Sequence, residues 1–176
     1  IGVIHRDIKP ANILLAQDGK VRRAKLADFG IAKAAAIGKL TATGFIVGTP
    51  DYMAPEVLAG EPASARSDVY AMGTTLYELI AGQVPFVDLP VLTRFEREAP
   101  GLVAGPGQGP PPSALREAVA RSLARSARDR FESAEAFREE LTQLVRGARS
   151  GRALANETAP APAALLKSAS AHEHAE

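Results

Sequence analysis

One stretch of the chain, residues 67–82, constrains the fold more than any other. Its large apolar side chains recur at spacings of three and four residues, which is the period of an α-helix. The members of this stripe are Val69, Met72, Leu76 and Ile80. Further apolar residues lie between them, so the helix is apolar on more than one face. We therefore predict a central helix that is buried on several sides, with the rest of the core packed around it.

The sequence also marks the ends of this helix. Ser67 or Asp68 can accept hydrogen bonds from the free amides of a first helical turn. Gly82 can adopt the left-handed conformation that commonly ends a helix. We therefore predict that the helix begins at Ser67 or Asp68 and ends at Gly82.

The composition is that of a soluble globular chain. Of the 176 residues, 46% are hydrophobic and 23% are charged, which suffices for one domain with a core. A formal net charge of +1 gives no reason to expect nucleic acid or an anionic membrane as a partner. The absence of cysteine excludes disulfides and cysteine-based zinc sites. No apolar run approaches the roughly 18 residues of a membrane-spanning helix. We expect a cytoplasmic location, with a membrane anchor of the parent protein outside this chain as the alternative.

A second informative stretch reads His-Arg-Asp-Ile-Lys-Pro-Ala-Asn and occupies residues 5–12. Pro10 cannot continue a helix or a central strand, so we predict a tight loop in which Asp7, Lys9 and Asn12 point at one small volume. A carboxylate can accept a proton from a hydroxyl, an ammonium can neutralise phosphate, and an amide oxygen can bind a divalent cation. The set indicates phosphate chemistry. A charged surface turn is the alternative for any one of these residues.

Strand patterns surround this loop. A short strand is predicted at residues 3–4. Apolar runs at residues 13–15 and 24–27, separated by a turn signal, predict an antiparallel hairpin. The hairpin would bring Asn12 close to the Asp-Phe-Gly sequence at residues 28–30.

Three motifs in this order resemble those of protein kinases. The His-Arg-Asp stretch with Asn five residues after the Asp is similar to the kinase catalytic loop, and Asp-Phe-Gly is similar to the kinase metal-binding motif. Ala-Pro-Glu at residues 54–56 is similar to the motif that closes the kinase activation segment. An isolated Asp-Phe-Gly is weak support, but its position across the hairpin from the loop favours the kinase interpretation over an ordinary strand end. Lys9-Pro10 and Thr49 resemble the serine/threonine branch, and the Ala- and Arg-rich composition resembles bacterial members.

The resemblance implies a role for each polar residue of the loop. Asp7 is the expected catalytic base, and Lys9 is the expected contact to the transferred phosphate. Asn12 and Asp28 are the expected Mg²⁺ ligands, and together with Lys9 they are expected to contact ATP. ATP and Mg²⁺ are the implied cofactors, and the implied partner is a protein that is phosphorylated on Ser or Thr.

Structural roles follow from the same resemblance. His5 is expected to support the loop, with Phe29 packed against it. Asp68 is expected to accept hydrogen bonds from the loop backbone, although a plain helix cap is also compatible with this residue. Glu56 is expected to pair with Arg130, because an unpaired buried charge is very costly.

Residues 31–48 show no helical or strand period, which predicts a mobile loop. Thr41 and Thr43 lie in it, and we expect one of them to be an autophosphorylation site. A phosphothreonine would suit the guanidinium of Arg6, whereas an unmodified polar loop is the alternative. Thr49 is expected to lie in the floor that receives the substrate peptide.

Two more helices are predicted downstream. Ser113 is expected to cap a helix that runs to about Ser126, and Ser133 is expected to cap another. Their apolar stripes are Leu115, Val119 and Leu123 in the first, and Phe137, Leu141 and Leu144 in the second.

Three segments are predicted from composition. Residues 88–98 are expected to form a short helix. Residues 99–112 are rich in Gly and Pro, which predicts a flexible connector without the features of a phosphate-binding loop. Residues 147–176 are rich in Ala, Pro and Ser, which predicts a disordered tail.

The expected fold class is α+β and mainly α. The resemblance implies a protein-kinase-like C-terminal lobe over residues 1–146, with a small β-hairpin carrying the catalytic loop. The glycine-rich loop, strand lysine and helix glutamate of a kinase N-terminal lobe do not occur in these 176 residues. We therefore expect a serine/threonine kinase fragment that is inactive alone. The alternative is a non-catalytic lobe that binds partners or substrates.

Overall fold

Helices predominate over strands in the computed structural model, which describes residues 3–19, 21–28, 50–90, 93 and 97–157. The elements are strands β1 (Ile13–Asp18) and β2 (Val21–Leu26) and helices α1 (Pro55–Leu58), α2 (Ala65–Ala81), α3 (Ser113–Ser122) and α4 (Ala134–Glu157). Short 3₁₀ turns are formed by Pro10–Asn12, Pro50–Tyr52 and Ala127–Asp129. The expectation of a mainly helical chain with one small hairpin is therefore confirmed for the described residues.

Helix α2 lies at the centre of the core, as its sequence predicts. Buried residues occur on several sides of it: Ser67, Asp68, Val69, Tyr70, Ala71, Gly73, Thr74, Thr75, Tyr77 and Ala81. Of the predicted stripe only Val69 is buried, and Met72, Leu76 and Ile80 are half-buried. Helix α3 approaches so closely at Gly73 that an added Cβ there would lie 2.9 Å from Ser122 Cβ. A pattern of large apolar residues does not reveal such a contact between small ones.

The predicted start of helix α2 is wrong by about one turn. Ser64, not Ser67 or Asp68, occupies the N-cap position, and its amide donates to Ser67 Oγ at 3.0 Å. Ser67 and Asp68 lie inside the first turn, where their side chains bond to other segments of the chain. The predicted end is correct, since Gly82 has φ 79° and its amide donates to Glu78 O at 2.8 Å.

The two strands form the predicted hairpin. Strands β1 and β2 pair antiparallel from Ile13 opposite Leu26 to Asp18 opposite Val21. The pairing continues beyond the strands, where the Ala27 amide donates to Asn12 O at 2.9 Å. This bond joins the 3₁₀ turn of residues 10–12 to the end of β2.

The strand predicted at residues 3–4 is not present. A strand needs a ladder partner, and in the described part of the chain β1 and β2 pair with each other. The next amides, those of His5 and Arg6, donate instead to the carboxylate of Asp68.

Helix α3 is shorter than predicted and lacks the predicted cap. It ends at Ser122 rather than near Ser126, and Pro112 rather than Ser113 occupies the N-cap position. Ser126 accepts from the Arg128 amide at 3.3 Å, a local bond that favours the 3₁₀ turn over a continuing helix. The stripe is largely correct, since Val119 and Leu123 are buried.

The Gly- and Pro-rich connector packs against helix α2, contrary to the prediction of a free linker. Leu102 is buried in the core, and the Gly105 amide donates to Ile80 O at 3.0 Å. These contacts depend on the position of individual residues in the connector, which an overall Gly and Pro content does not reveal. The helix predicted at 88–98 falls partly outside the described residues.

Ser133 caps helix α4 as predicted, because its Oγ accepts from the Ala136 amide at 3.1 Å. The helix continues to Glu157, past the predicted start of the tail at residue 147. Ala occurs three times and Arg twice between residues 147 and 157, and both have high helix propensity. Residues 158–176 lie outside the described part.

The chain divides into two units, Ile1–Leu141 and Thr142–Glu176. The first contains the core, whose buried members are Ala54, Val57, Tyr70, Tyr77, Ala81, Leu102, Val119 and Leu123. The second contains the C-terminal part of helix α4. No helix in the described part of the chain has the length and apolarity needed to cross a bilayer.

Candidate active site

The loop of residues 5–12 takes its shape from a carboxylate on helix α2. Asp68 accepts from the amide of His5 at 2.7 Å and from the amide of Arg6 at 2.9 Å. Both Asp68 and the His5 side chain are buried. Arg6 has φ 68°, a left-handed conformation that costs free energy in a residue with a Cβ. The two bonds to a charged acceptor offset this cost, since such bonds contribute about 1.5–3 kcal/mol each.

Asp7, Lys9 and Asn12 converge as the sequence predicted. The Asn12 side-chain amide donates to Asp7 O at 2.7 Å and to Asp7 Oδ2 at 2.9 Å. Lys9 Nζ lies 3.5 Å from the same carboxylate oxygen, and the Asp7 and Lys9 side chains are 15% and 18% exposed. The carboxylate is thus oriented by two neighbours and still accessible to a substrate.

Asp28 directly follows the hairpin at the end nearest Asn12. It is exposed and has φ 58°, and its neighbour Ala27 bonds to Asn12 O. The side-chain nitrogen of Asn12 donates to Asp7, so a cation could be bound only by the side-chain oxygen, Oδ1. In the described part of the chain, no group of three or more Asp, Glu, His or Cys side chains is arranged so that it could hold a metal ion. Mg²⁺ usually keeps several waters and binds substrate phosphates, so one or two protein oxygens are enough for it, which is the number that Asn12 and Asp28 could supply.

Several predicted site residues cannot be compared with the structure. Phe29, Thr41, Thr43 and Thr49 lie outside the described residues, as does the whole of the predicted mobile loop at residues 31–48. Their predicted roles stay predictions.

Glu56 and Arg130 form the predicted ion pair. The Arg130 guanidinium donates Nη1–H to Glu56 Oε1 and Nη2–H to Oε2, both at 2.8 Å. Its remaining N–H groups donate to the carbonyls of Ala124, Arg125 and Arg66. All five guanidinium donors are therefore used by a side chain that is fully buried. The guanidinium also lies over the ring of Tyr70, 4.9 Å from its centroid.

The pKa of Glu56 reflects this environment. Burial by itself raises it, but the hydrogen bond from Arg130, the Glu56 amide, the Arg130 charge and the Ser67 hydroxyl lower it below the ordinary value of 4.5. The carboxylate is therefore held in its charged form.

Two residues beside Asp68 have contacts that the sequence did not indicate. Ser67 Oγ donates to Glu56 Oε1 at 2.8 Å, although the hydroxyl was predicted to be a helix cap. The Arg66 guanidinium donates to the carbonyls of Ala127 and Arg130 at 3.1 Å and 3.0 Å. Neither contact has a local sequence signal, since each joins residues far apart in the chain.

A further contact fixes the segment before helix α1. Tyr52 Oη donates to Glu78 Oε2 at 2.5 Å, which joins the 3₁₀ turn of residues 50–52 to helix α2. Burial and the neighbouring Glu78 carboxylate raise the pKa of Tyr52, so the phenol stays protonated.

These contacts build a narrow cleft between the loop and the segment before α1. Its walls are formed by residues 6–8 on one side and 52–54 on the other, and Ser67 and Asp68 of helix α2 contribute to its lining. A carboxylate, an ammonium and an amide thus lie beside a cleft, which is an arrangement suited to deprotonating a hydroxyl next to a phosphate.

A comparison with protein families decides what this arrangement belongs to. The model of the protein kinase domain matches residues 1–146. The chain belongs to the protein kinase family. The match includes all of the candidate site residues described above.

Curated serine/threonine-protein kinases of bacteria are similar to this kinase chain. Pkn1 of Myxococcus xanthus is 40% identical over 179 residues, which cover 96% of this chain and 24% of that protein. PknL of Mycobacterium tuberculosis is 40% identical over 148 residues, covering 82% of this chain and 36% of that protein. PknB of Mycolicibacterium smegmatis is 38% identical over 151 residues, covering 83% of this chain and 24% of that protein. The chain thus spans about a quarter to a third of the length of these relatives.

Proposed function

We propose that this chain carries the catalytic loop of a serine/threonine protein kinase, which transfers the γ-phosphate of ATP to a Ser or Thr hydroxyl of a protein. The convergence of Asp7, Lys9 and Asn12 in a loop held by Asp68 is the observation that carries the proposal. The bacterial relatives, which are serine/threonine-protein kinases, support it.

In the proposed reaction Asp7 is the base. The substrate oxygen forms a bond to the γ-phosphorus while the bond to the bridging oxygen of ADP breaks, and the hydroxyl proton passes to the Asp7 carboxylate. Asn12 orients that carboxylate through the 2.9 Å hydrogen bond, and Lys9 supplies positive charge beside the transferred phosphate.

Asn12 and Asp28 are the residues that would hold Mg²⁺. The cation, when bound, supplies positive charge that offsets the negative charge of the ATP phosphates. The roles of this chain's own groups are to present one amide oxygen and one carboxylate at the end of the hairpin, where the bond from Ala27 to Asn12 holds the two segments together.

We assign residues 1–146 to the C-terminal lobe of the kinase fold. For the 176 residues alone we expect weak ATP binding and no phosphotransfer, because the glycine-rich loop and strand lysine of a kinase do not occur in them. Phosphorylation of Thr41 or Thr43 and a substrate contact from Thr49 are part of the same proposal.

The test uses the longest natural protein that contains this chain. It is incubated with ATP labelled in the γ-phosphate, Mg²⁺ and a Ser/Thr-rich protein. We expect labelled phosphoserine or phosphothreonine that disappears with EDTA and falls at least about a hundredfold in Asp28→Asn. Asp88→Asn, which changes an exposed carboxylate away from the site, is the matched control. No transfer, or equal transfer by Asp28→Asn, contradicts the proposal.

A further inference from the structure

Three consecutive residues of helix α2 each bind a different segment of the chain. Asp68 accepts from the amides of His5 and Arg6, and Arg66 donates to carbonyls of residues 127–130. Ser67, between them, donates to Glu56 Oε1. The first turn of α2 therefore joins the catalytic loop, helix α1 and the segment that carries Arg130.

The Ser67 hydroxyl is specifically oriented for its contact. It accepts from the Ser64 amide at 3.0 Å, which leaves its proton directed at Glu56. The residue is buried, so water does not readily replace the bond. Glu56 in turn is separated only by Pro55 from residues 52–54, which form one wall of the cleft.

Adjacent positions on one helical turn have a fixed separation. Asp68 bonds the wall of residues 6–8, and Ser67 bonds Glu56 of helix α1, two positions beyond the wall of residues 52–54, so both walls are connected to neighbouring residues of a rigid element. The Glu56–Arg130 pair fixes helix α1 to the segment around Arg130, but it makes no direct bond to the turn that holds Asp7.

We infer that Ser67 is a positioning residue that aligns residues 52–56 with the loop of Asp7, so that a substrate hydroxyl bound along that wall meets the catalytic carboxylate. The inference rests on the proposed function. In this inference Ser67 acts through Glu56 and not by contact with the reacting atoms.

Misplacing a substrate by about 1 Å costs up to about a hundredfold in rate. Loss of the hydroxyl in Ser67→Ala leaves Glu56 bound to Arg130, so the wall shifts rather than unfolds. We expect kcat/KM for the protein substrate to fall about tenfold while the KM for ATP stays within twofold.

Ser122→Ala is the matched control. Ser122 is also a buried serine, and its hydroxyl donates to Val119 O within helix α3 without joining two segments. Ser122→Ala should lower the thermal stability about as much as Ser67→Ala does, but it should leave the kinetics unchanged. Ser67→Thr, which retains the hydroxyl, should restore most of kcat/KM. If Ser67→Ala does not fold, Ser67→Cys, a weak donor of similar size, is expected to give the same kinetic pattern.

Amide exchange provides a readout that does not require kinase activity. In the 176-residue chain, Ser67→Ala should speed exchange of the Met53 amide, which bonds to Pro50 O, several-fold more than Ser122→Ala does. Equal exchange and equal kinetics in Ser67→Ala and Ser122→Ala overturn the inference. If no variant transfers phosphate but the Met53 amide still exchanges faster in Ser67→Ala, the proposed function is overturned and the positioning role of Ser67 is retained.

Discussion

Arg66 and Arg130, which lie 64 positions apart, each donate a guanidinium hydrogen bond to the main-chain carbonyl of the other. Arg66 Nη1 lies 3.0 Å from Arg130 O, and Arg130 Nη1 lies 3.2 Å from Arg66 O. Two like charges tolerate this proximity because Glu56 neutralises Arg130 and main-chain dipoles surround both groups. These two reciprocal hydrogen bonds hold the start of helix α2 against the turn before α4.

Replacement of Arg130 is expected to destabilise the chain strongly. Arg130→Ala leaves the Glu56 carboxylate and several buried carbonyls without their donor, which should lower the free energy of unfolding by about 3–5 kcal/mol. Arg130→Lys should be almost as harmful, since an ammonium has three donors and cannot reproduce the planar five-donor geometry. Urea unfolding measures both, and Arg128→Ala is the exposed control. An unchanged unfolding midpoint for Arg130→Ala would refute the role of the pair.

Stability should also depend on pH through Glu56. The pKa of this residue in the folded state lies below its ordinary 4.5, so the folded state binds the proton less well than the unfolded state does. The contribution is fully present above pH 4.5 and is lost as pH falls from there through the folded pKa. Glu56→Gln should therefore show a shallower loss of stability on acidification, measured by thermal unfolding between neutral pH and pH 3. Identical acid profiles for the two chains would show that Glu56 is not involved.

The contact between helices α2 and α3 predicts the effect of adding one methyl group. In Gly73→Ala the new Cβ overlaps Ser122 Oγ and presses on Ser122 Cβ at 2.9 Å, so we expect a loss of about 1–3 kcal/mol. Ser122→Ala in the same chain should recover part of it by removing the nearer atom. Gly109→Ala, where the added Cβ meets nothing within 4 Å, is the control. A Gly73→Ala chain as stable as the Gly109→Ala chain would argue against this packing.

The bonds from Asp68 predict how the loop responds when its acceptor is weakened. In Asp68→Asn one carboxylate oxygen becomes an amide nitrogen, which faces a main-chain N–H instead of accepting from it. We expect a loss of about 1–3 kcal/mol and at least tenfold faster exchange of the His5 and Arg6 amides. Hydrogen exchange followed by NMR tests this, with Asp129→Asn as the exposed control. Unaltered exchange at both amides would contradict the assignment.

How far the sequence predicts this fold depends on whether the signal is local. The hairpin, the burial of helix α2, its end at Gly82 and the Ser133 cap rest on neighbouring residues, and all four are present. The pair of Glu56 and Arg130 was predicted from the family resemblance rather than from a local pattern.

The predictions that were wrong concern residues whose contacts lie far away in the chain. Ser67 looks like a helix N-cap but its hydroxyl donates to Glu56, and Leu102 is buried in the core within a connector that composition alone predicts to be flexible. Asp68 is not the helix cap, whereas its bonds to the loop backbone, which the family resemblance implied, are confirmed. Tertiary contacts override local preference in each case. Within the candidate site, the convergence of Asp7, Lys9 and Asn12 followed from loop chemistry, whereas the alignment through Ser67 required the folded chain.

The most direct test of the central claim, that Asp7 is the base of a phosphotransfer site, is the kcat of Asp7→Asn in the longest natural protein that contains this chain. The asparagine can still accept from the Asn12 amide, so the loop should keep its shape while losing the proton acceptor. Steady-state transfer of labelled phosphate should show kcat reduced by about 10²–10⁴-fold, with the KM for ATP little changed. A kcat within a few-fold of the unmodified protein would contradict the account.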